Sequence, residues 1–262
     1  MKTQSSSESI QSTTMLQSRL NANQHASRDF DEWCFRQLPE LPVDAQILDL
    51  GCGTGKQITL FSPVFSKASH FWGIDLSGES LEKLRTAYRS TPALTLIEGS
   101  FDELEKFSQL RENSFDLIYA SYALYYTHDL SHVIQEVYRL LKPGGLFWVI
   151  TPYSGTNAEF LQIIRPLHEV EAFMDYVFDI FHQEVIDKAK NQGFTSIKPS
   201  MLRNKIPFST GEAFMEYLKN SLFYRPGFDQ NIIDQVNEIC EREGKFEVSK
   251  NILSLQLRKA GL

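Results

Sequence analysis

The chain has 262 residues, of which 42% are hydrophobic and 23% charged, as in ordinary folded globular proteins. The net charge of −7, without any Lys/Arg-rich run, disfavours a nucleic-acid partner, because such proteins carry a basic face. Three widely spaced cysteines (Cys34, Cys52, Cys240) disfavour a disulfide framework and a metal site, and no apolar stretch approaches the roughly 20 residues that span a bilayer. We therefore predict a cytoplasmic protein with no metal, nucleic-acid or membrane partner.

The first part of the chain is polar. Residues 1–24 are rich in Ser, Gln, Thr and Asn, and a segment with so few large apolar groups is predicted to form a disordered tail. A short helix is expected next, because Phe30, Trp33 and Leu38 recur at helical spacing. Pro39 ends that helix.

From Ala45 to about Pro152 the chain alternates short apolar runs with amphipathic stretches. The predicted strands are 46–50, 70–74, 94–98, 115–121 and 145–151. The predicted helices between them are 56–65, 80–89, 102–110 and 130–141. Lys142-Pro143-Gly144-Gly145 is expected to end a helix and turn sharply into the next strand. Such alternation is typical of parallel βαβ units in a doubly wound sheet.

Residues 153–262 have a different pattern. An apolar stripe predicts one long helix over 165–191, which Gly193 closes. A strand near 196–207, helices near 211–220 and 230–242, and a strand near 247–258 are expected to follow. We predict a single α/β domain over 25–262, a Rossmann-like, doubly wound and mostly parallel seven-stranded sheet with a helical lid insertion. Residues 25–152 form its first half, and 153–262 complete the sheet and supply the lid.

A glycine loop, Gly51-Cys52-Gly53-Thr54-Gly55, follows the first predicted strand and opens a helix. It does not fit a Walker loop, which needs four residues between its glycines and then Lys-Ser/Thr. It also departs from the dinucleotide fingerprint Gly-x-Gly-x-x-Gly, because the third glycine comes one residue early. The loop is therefore a ligand-binding turn of another kind.

Carboxylates at the strand ends indicate the ligand. Asp49 would repel a phosphate, but it favours a ligand with an ammonium and a sulfonium, and S-adenosylmethionine carries both. Asp75 ends the second strand at the distance expected of a ribose-binding acid. After the third strand, Ser100 is placed to hydrogen-bond the adenine and Phe101 to cover it. These strand ends meet at the switch point of a doubly wound sheet.

The segments 47–55, 73–75, 115–121 and 140–145, in this order and spacing, resemble the class I S-adenosylmethionine-dependent methyltransferases. The resemblance implies S-adenosylmethionine as cofactor. It also implies the residues that line the cofactor pocket, namely Asp49, Gly51, Gly53, Gly55, Asp75, Leu76, Ser100, Phe101, Ala120 and Ser121.

A weaker resemblance concerns the methyl acceptor. Segments 123–129 and 243–254 are similar to the corresponding parts of histamine N-methyltransferases. That similarity implies that Tyr122, Tyr126 and Asn251 contact the acceptor, although tyrosines in such a stretch also occur as core residues.

Together these features predict an enzyme that transfers a methyl group to a small molecule. An amine is favoured, because a hydroxyl needs a base and no carboxylate–histidine pair is evident in the sequence. Tyr126 and His128 are the candidates for a catalytic group, since imidazole titrates near neutrality. The alternatives are an O-methyltransferase for a small hydroxylated metabolite and a non-catalytic protein that binds S-adenosylmethionine.

Overall fold

A computed structural model describes residues 27–88 and 93–261, so the tail predicted for residues 1–24 lies outside the described residues. The chain divides into two compact units. The sheet unit consists of Phe30–Pro152, Asp179–Met201 and the described residues from Ile252 onward. The second unit consists of the described residues up to Asp29, Tyr153–Phe178 and Leu202–Asn251. One boundary therefore falls at residue 152, where the two predicted halves meet, but the part after residue 152 contributes to both units.

Seven strands form one sheet. They are β1 (Gln46–Leu50), β2 (His70–Asp75), β3 (Ala93–Glu98), β4 (Phe115–Ser121), β5 (Leu141–Pro152), β6 (Phe194–Phe208) and β7 (Phe246–Lys259). Their order is β3-β2-β1-β4-β5-β7-β6. The first five strands pair in parallel, and β7 pairs antiparallel to β5. This topology confirms the predicted Rossmann-like, mostly parallel α/β sheet.

Helices connect the strands. They are α1 (Phe30–Phe35), α2 (Lys56–Phe61), α3 (Gly78–Ala87), α4 (Leu130–Leu140), α5 (Ala158–Ile164), α6 (Ala172–Asp175), α7 (Phe181–Gln192), α8 (Gly211–Lys219) and α9 (Asp229–Glu243). Two 3₁₀ helices, Phe101–Lys106 and Leu124–Tyr126, and a π-helical segment, Tyr176–Ile180, also occur. None of the helices within residues 27–88 and 93–261 is long and apolar enough to cross a bilayer.

The central strands are buried because their sequences are almost continuously apolar, as parallel strands covered on both faces require. Phe61 of α2 stacks on Trp148 of β5 with ring centroids 5.7 Å apart. It also meets Tyr119 of β4 edge-on, again at 5.7 Å. The Trp148 indole donates a hydrogen bond of 2.7 Å to Ser254, so this large residue is buried without an unsatisfied donor. These contacts fix the strands that carry the candidate site.

Side-chain caps determine where two helices begin. The Ser77 hydroxyl accepts from the Ser80 amide at 3.2 Å at the start of α3. The Asp129 carboxylate accepts from the His132 amide at 3.0 Å at the start of α4. Each cap satisfies an amide that has no partner within its helix. Both helices therefore begin shortly after strands that end at the candidate site.

Three predicted elements differ from the structure. The helix expected over 165–191 is divided into α6, the π-helical segment and α7, and α5 ends just before Pro166, which has no amide hydrogen to continue a helix. The turn expected at residues 142–145 is the start of β5, where the pairing with β4 shifts register. The helix expected over 102–110 is the shorter 3₁₀ helix 101–106, which is interrupted by the non-helical backbone of Glu103.

Aromatic rings form the core of the second unit. Phe160 of α5 contacts Phe214 of α8 and Phe223, with centroid distances of 5.8 and 5.2 Å. Phe214 in turn meets Phe246 edge-on at 5.0 Å. Edge-to-face contacts of this kind add to the free energy gained from burying the rings. These contacts hold α5 and α8 to the start of β7.

Candidate functional site

The glycine loop lies between the carboxyl ends of β1 and β2. Its glycines have φ angles of 72°, 52° and 77° at Gly51, Gly53 and Gly55, in the left-handed region that favours glycine. The amides of Gly51 and Cys52 both donate to the carbonyl oxygen of Ile74, at 2.8 and 3.0 Å. The loop is therefore fixed against the neighbouring strand.

Close packing gives a second reason for glycine at two of these positions. A Cβ atom on Gly51 would lie 2.4 Å from the Cβ of Ala123 and 3.5 Å from the Phe101 ring. A Cβ atom on Gly55 would lie 2.2 Å from the Leu84 side chain. A side chain at Gly51 would overlap Ala123, so the loop backbone packs directly against the segment that follows β4.

Asp75 at the end of β2 is held by backbone donors. Its carboxylate accepts from the Gly53 amide at 2.7 Å and from the Ser77 amide at 2.9 Å. The first bond ties the glycine loop to β2, and the second orients the start of α3. A carboxylate has about four acceptor sites, so acceptor capacity remains for the hydroxyl groups of a ribose.

Asp49 near the end of β1 is buried, with 2% of its surface exposed. Burial raises the pKa of the Asp49 carboxyl well above its usual range. A hydrogen bond with Tyr119 opposes this rise, and the negative charge of Asp75 adds to it. Within the described part of the chain Asp49 forms no ion pair, so a cationic ligand would supply its missing counter-charge.

The expected adenine contacts lie at the end of β3. The Ser100 hydroxyl caps the 3₁₀ helix 101–106 by accepting from the Asp102 amide at 3.0 Å. The Phe101 ring lies 3.5 Å from the position that a Cβ on Gly51 would take. Leu76, which follows Asp75, is 59% exposed.

The end of β4 lies beside the end of β1 at the same edge of the sheet. Ala120 is buried, and the Ser121 hydroxyl accepts from the Gln57 side chain at 3.2 Å. Gln57 lies in α2, directly after the glycine loop. The loop and the end of β4 are therefore connected through a polar contact. Thus the ten cofactor residues expected from the sequence lie on or next to the carboxyl ends of β1 to β4.

Tyr122 and α1 make an aromatic group beside the loop. Tyr122 has a φ of 56°, unusual for a bulky residue, and is 39% exposed. Its ring meets that of Phe30 edge-on at 6.2 Å. Lys56, next to Gly55, lies 5.0 Å from the Phe30 ring centroid and forms an ion pair of 2.9 Å with Asp31. Helix α1 thus contacts both the residue after the glycine loop and the residue after β4.

A carboxylate–histidine pair, which the sequence analysis did not find, joins two loops of this edge. Asp102 Oδ2 lies 2.8 Å from Nδ1 of His128 and accepts from the His128 amide at 3.1 Å. Asp102 also accepts from the Thr127 hydroxyl. A carboxylate only accepts, so the ring proton lies on Nδ1 and leaves Nε2 of the neutral ring as a proton acceptor. The His128 side chain is 85% exposed.

The other acceptor candidates are placed differently. Tyr126 is half-buried and contacts Tyr125, with centroids 4.5 Å apart. Asn251 belongs to the second unit, where its side chain donates to the Ser154 carbonyl at 2.8 Å and its amide to the Thr156 hydroxyl at 3.1 Å. In the described structure Asn251 therefore holds the turn that follows β5.

Comparison with known proteins identifies the central region. The sequence family described as a methyltransferase domain matches residues 48–149. The chain is 31% identical to the trans-aconitate 2-methyltransferase of Deinococcus radiodurans over 134 residues, or 51% of this chain and 48% of the relative. It is 26% identical to the arsenite methyltransferase of Aquipseudomonas alcaligenes over 81% of this chain and 61% of the relative. The chain thus spans about half of the first of these relatives and less than two thirds of the second.

Solved structures agree on the fold. The YcgJ protein of Bacillus subtilis matches with a TM-score of 0.61 and 16% identity, over 88% of this chain and 99% of that one. A Thermotoga maritima protein, titled an S-adenosylmethionine-dependent methyltransferase and possible histamine N-methyltransferase, matches with a TM-score of 0.50 and 16% identity, over 87% of this chain and 86% of that one. These matches support the fold alone. The domain match, together with the glycine loop between two strand-end carboxylates, identifies residues 48–149 as a methyltransferase domain.

Proposed function

We propose that the protein transfers a methyl group from S-adenosylmethionine to a small-molecule acceptor, and that this acceptor is an amine. The observation that carries the proposal is the buried Asp49 beside the glycine loop, because a carboxylate withdrawn from water is stabilised by a cation. S-adenosylmethionine carries positive charge and no phosphate. The described residues therefore suit it better than a nucleotide.

The residues at this edge fit the cofactor in other respects. The glycine loop lets a ligand approach the backbone closely, because its glycines have no side chains. Asp75, already oriented by two amides, would bind the ribose hydroxyls, and Phe101 would cover the adenine. When bound, S-adenosylmethionine supplies an electrophilic methyl group on a sulfonium. The protein's main contribution is then to hold the acceptor in line with that methyl group.

The acceptor preference rests on the residues that follow β4. Tyr122, its neighbour Phe30 and Tyr126 present aromatic rings, which attract cationic groups through their π faces. An amine would enter as its ammonium and must lose a proton before it attacks. We propose that His128 receives that proton on Nε2 while Asp102 orients the ring and stabilises its positive charge. The exposure of His128 would let the proton pass to water.

The same pair supports the main alternative, O-methylation of a hydroxylated metabolite. A hydroxyl acceptor needs a base, and Asp102 and His128 form the carboxylate–histidine pair that the sequence alone does not reveal. The amine remains our proposal because aromatic rings follow the end of β4 and would attract an ammonium. A non-catalytic protein that binds S-adenosylmethionine is the other alternative.

The relatives act on chemically different acceptors by their names, which include an organic acid, arsenite and sterols. A thiol-bound arsenite is disfavoured here by the cysteines. Cys34 is fully buried, and burial raises the pKa of the Cys52 thiol well above its usual value, which disfavours the Cys52 thiolate. The Cys240 thiol, in the second unit, donates a hydrogen bond to the Phe208 carbonyl oxygen at 3.6 Å.

The test is release of S-adenosylhomocysteine from S-adenosylmethionine with panels of small amines, phenols and alcohols, and carboxylic acids. We expect turnover with amines, and a fall of about 100-fold or more for His128→Asn, the typical scale of general-base catalysis. His132→Asn is the matched control, because His132 forms a similar pair with Glu105, at 3.1 Å, further from the strand end. Turnover restricted to hydroxyl acceptors would favour O-methylation. Cofactor binding without turnover on any panel would favour the non-catalytic protein.

A further inference from the structure

A lysine amine in the second unit has no carboxylate partner. Nζ of Lys250 donates to the side-chain oxygen of Asn157 at 2.5 Å. Two rings flank it, with centroids 5.1 Å away for Tyr217 and 5.9 Å for Phe160. Within residues 27–88 and 93–261, Lys250 has no ion pair, whereas Lys245 and Lys205 both pair with Glu247.

The surrounding residues hold this amine in place. Asn157 is buried and has a left-handed φ of 62°, and its amide donates to the Ser249 carbonyl at 2.8 Å. The nearest acid, Glu159, is engaged by Ser249, whose amide and hydroxyl donate to its carboxylate at 2.8 and 2.5 Å. Residues with sparsely populated backbone conformations cluster at functional sites. The amine therefore has a fixed position with a neutral acceptor and aromatic walls.

Burial favours the neutral form of the amine, since no carboxylate is paired with it in the described chain. Burial lowers the pKa of Lys250 to about 7, and the charge of Glu159 only partly opposes that change. Tyr217 does not supply a negative charge, because burial raises the pKa of its hydroxyl. Lys250 as a whole is half-buried, so part of its side chain contacts solvent. A desolvated, neutral lysine amine is the form that attacks carbonyl carbon.

We propose that Lys250 is a covalent binding site for small carbonyl compounds, which it captures as imines. The lone pair of Nζ forms a bond to the carbonyl carbon, and the carbonyl oxygen leaves as water with the two hydrogens of the amine. No oxidant or reductant is needed. Asn157 positions the amine, and the rings of Phe160 and Tyr217 would shield the imine from water. This site is independent of the proposed methyl transfer.

The test is reductive alkylation of the full chain at pH 7 with a limiting amount of acetaldehyde and cyanoborohydride, followed by peptide mass mapping. We expect Lys250 to be modified at least ten-fold more than Lys245, an exposed and ion-paired lysine on the same segment. Modification of Lys250 equal to or below that of Lys245 would overturn the proposal. No S-adenosylmethionine is present, so the result does not depend on methyl transfer.

A variant tests the role of the neutral acceptor. Asn157→Asp places a carboxylate beside the amine, and we expect it to lower Lys250 modification at pH 7 at least ten-fold while Lys245 is unchanged. Asn231→Asp, at an exposed position of α9, is the charge-matched control. If Asn157→Asp does not fold, the pH profile of the unaltered chain decides. Half-maximal modification of Lys250 near pH 7 supports the proposal, and a midpoint in the ordinary lysine range near 10 contradicts it.

Discussion

Asp49 and Lys250 are charged residues without an ion pair in the described chain, one in the sheet unit and one in the second unit. Burial moves both toward their neutral forms, because it raises the pKa of the carboxyl and lowers the pKa of the amine. Their surroundings differ. Asp49 lies just before a glycine loop whose backbone can approach a ligand, whereas Lys250 is in contact with Asn157 and two rings. A cationic ligand would therefore stabilise the ionised carboxylate of Asp49, whereas burial makes the amine of Lys250 more reactive as a nucleophile.

The largest effect is expected from the loop beside Asp49. Gly51→Ala places a Cβ 2.4 Å from Ala123 at a residue with positive φ, so it should weaken S-adenosylmethionine binding at least 100-fold, about 2.8 kcal/mol. Gly144→Ala is the matched control. Gly144 also has positive φ, but nothing lies within 4 Å of its Cβ position. Equal affinities of the two variants in a titration would show that the conformation of the Gly51 turn does not matter for cofactor binding.

Asp49→Asn is expected to raise the stability of the protein while it weakens cofactor binding. The variant removes a carboxylate that is costly to bury, so we expect the free energy of unfolding at pH 7 to rise by roughly 1 kcal/mol. The same change should weaken S-adenosylmethionine binding ten-fold or more, because the counter-charge is lost. Denaturant unfolding and calorimetric titration measure the two quantities. A variant that is less stable, with unchanged affinity, would contradict the electrostatic role of Asp49.

Cofactor affinity should depend on pH through Asp49. The pKa of this carboxyl is raised in the free protein, and a cationic ligand stabilises its ionised form. As the pH falls through that raised pKa, binding must release a proton, and affinity should fall by up to ten-fold per pH unit. The free energy of unfolding of the ligand-free protein changes with pH in the opposite direction to the cofactor affinity. The folded state binds the proton more tightly, so the Asp49 contribution declines as pH rises from the ordinary carboxyl pKa toward the raised one. Titrations over a pH series check this, and Asp49→Asn should be insensitive to pH over the same window.

The smallest effect is expected at the residues that hold Lys250. Ser249→Ala removes one hydrogen bond to Glu159 but keeps the backbone one, so the loss of stability should be about 1 kcal/mol. Ser196→Ala, at an exposed position of β6, should be nearly neutral. Denaturant unfolding of both variants measures the difference. A loss at Ser249 no larger than at Ser196 would mean that the Glu159 contact does not fix this segment.

The elements that the sequence predicts correctly are those with a clear local residue pattern. The bounds of β1 and β4 match the predicted 46–50 and 115–121, because each is a short apolar run between clear turn signals. The glycine loop is predictable for a similar reason, since its backbone conformation depends on the glycines themselves. Asp49 and Asp75 follow from their positions at strand ends.

Contacts between distant segments account for what the sequence does not predict. Asp102 and His128 are 26 residues apart, and nothing in either segment announces that the loops meet. Lys250 lies in an alternating strand pattern in which it reads as an exposed residue, and its partner Asn157 is 93 residues away. The apolar stripe over 165–191 continues through the π-helical segment, so periodicity alone does not reveal the interruption. These features depend on tertiary packing.

Calorimetric titration of the unaltered chain and of Asp75→Ala with S-adenosylmethionine and S-adenosylhomocysteine tests the central claim most directly. We predict micromolar binding that Asp75→Ala weakens ten-fold or more, about 1.4 kcal/mol, because the variant loses both the ribose acceptor and the bond that ties Gly53 to β2. Absence of heat and of thermal stabilisation with both ligands, on folded protein, would contradict the claim that this edge of the sheet binds S-adenosylmethionine.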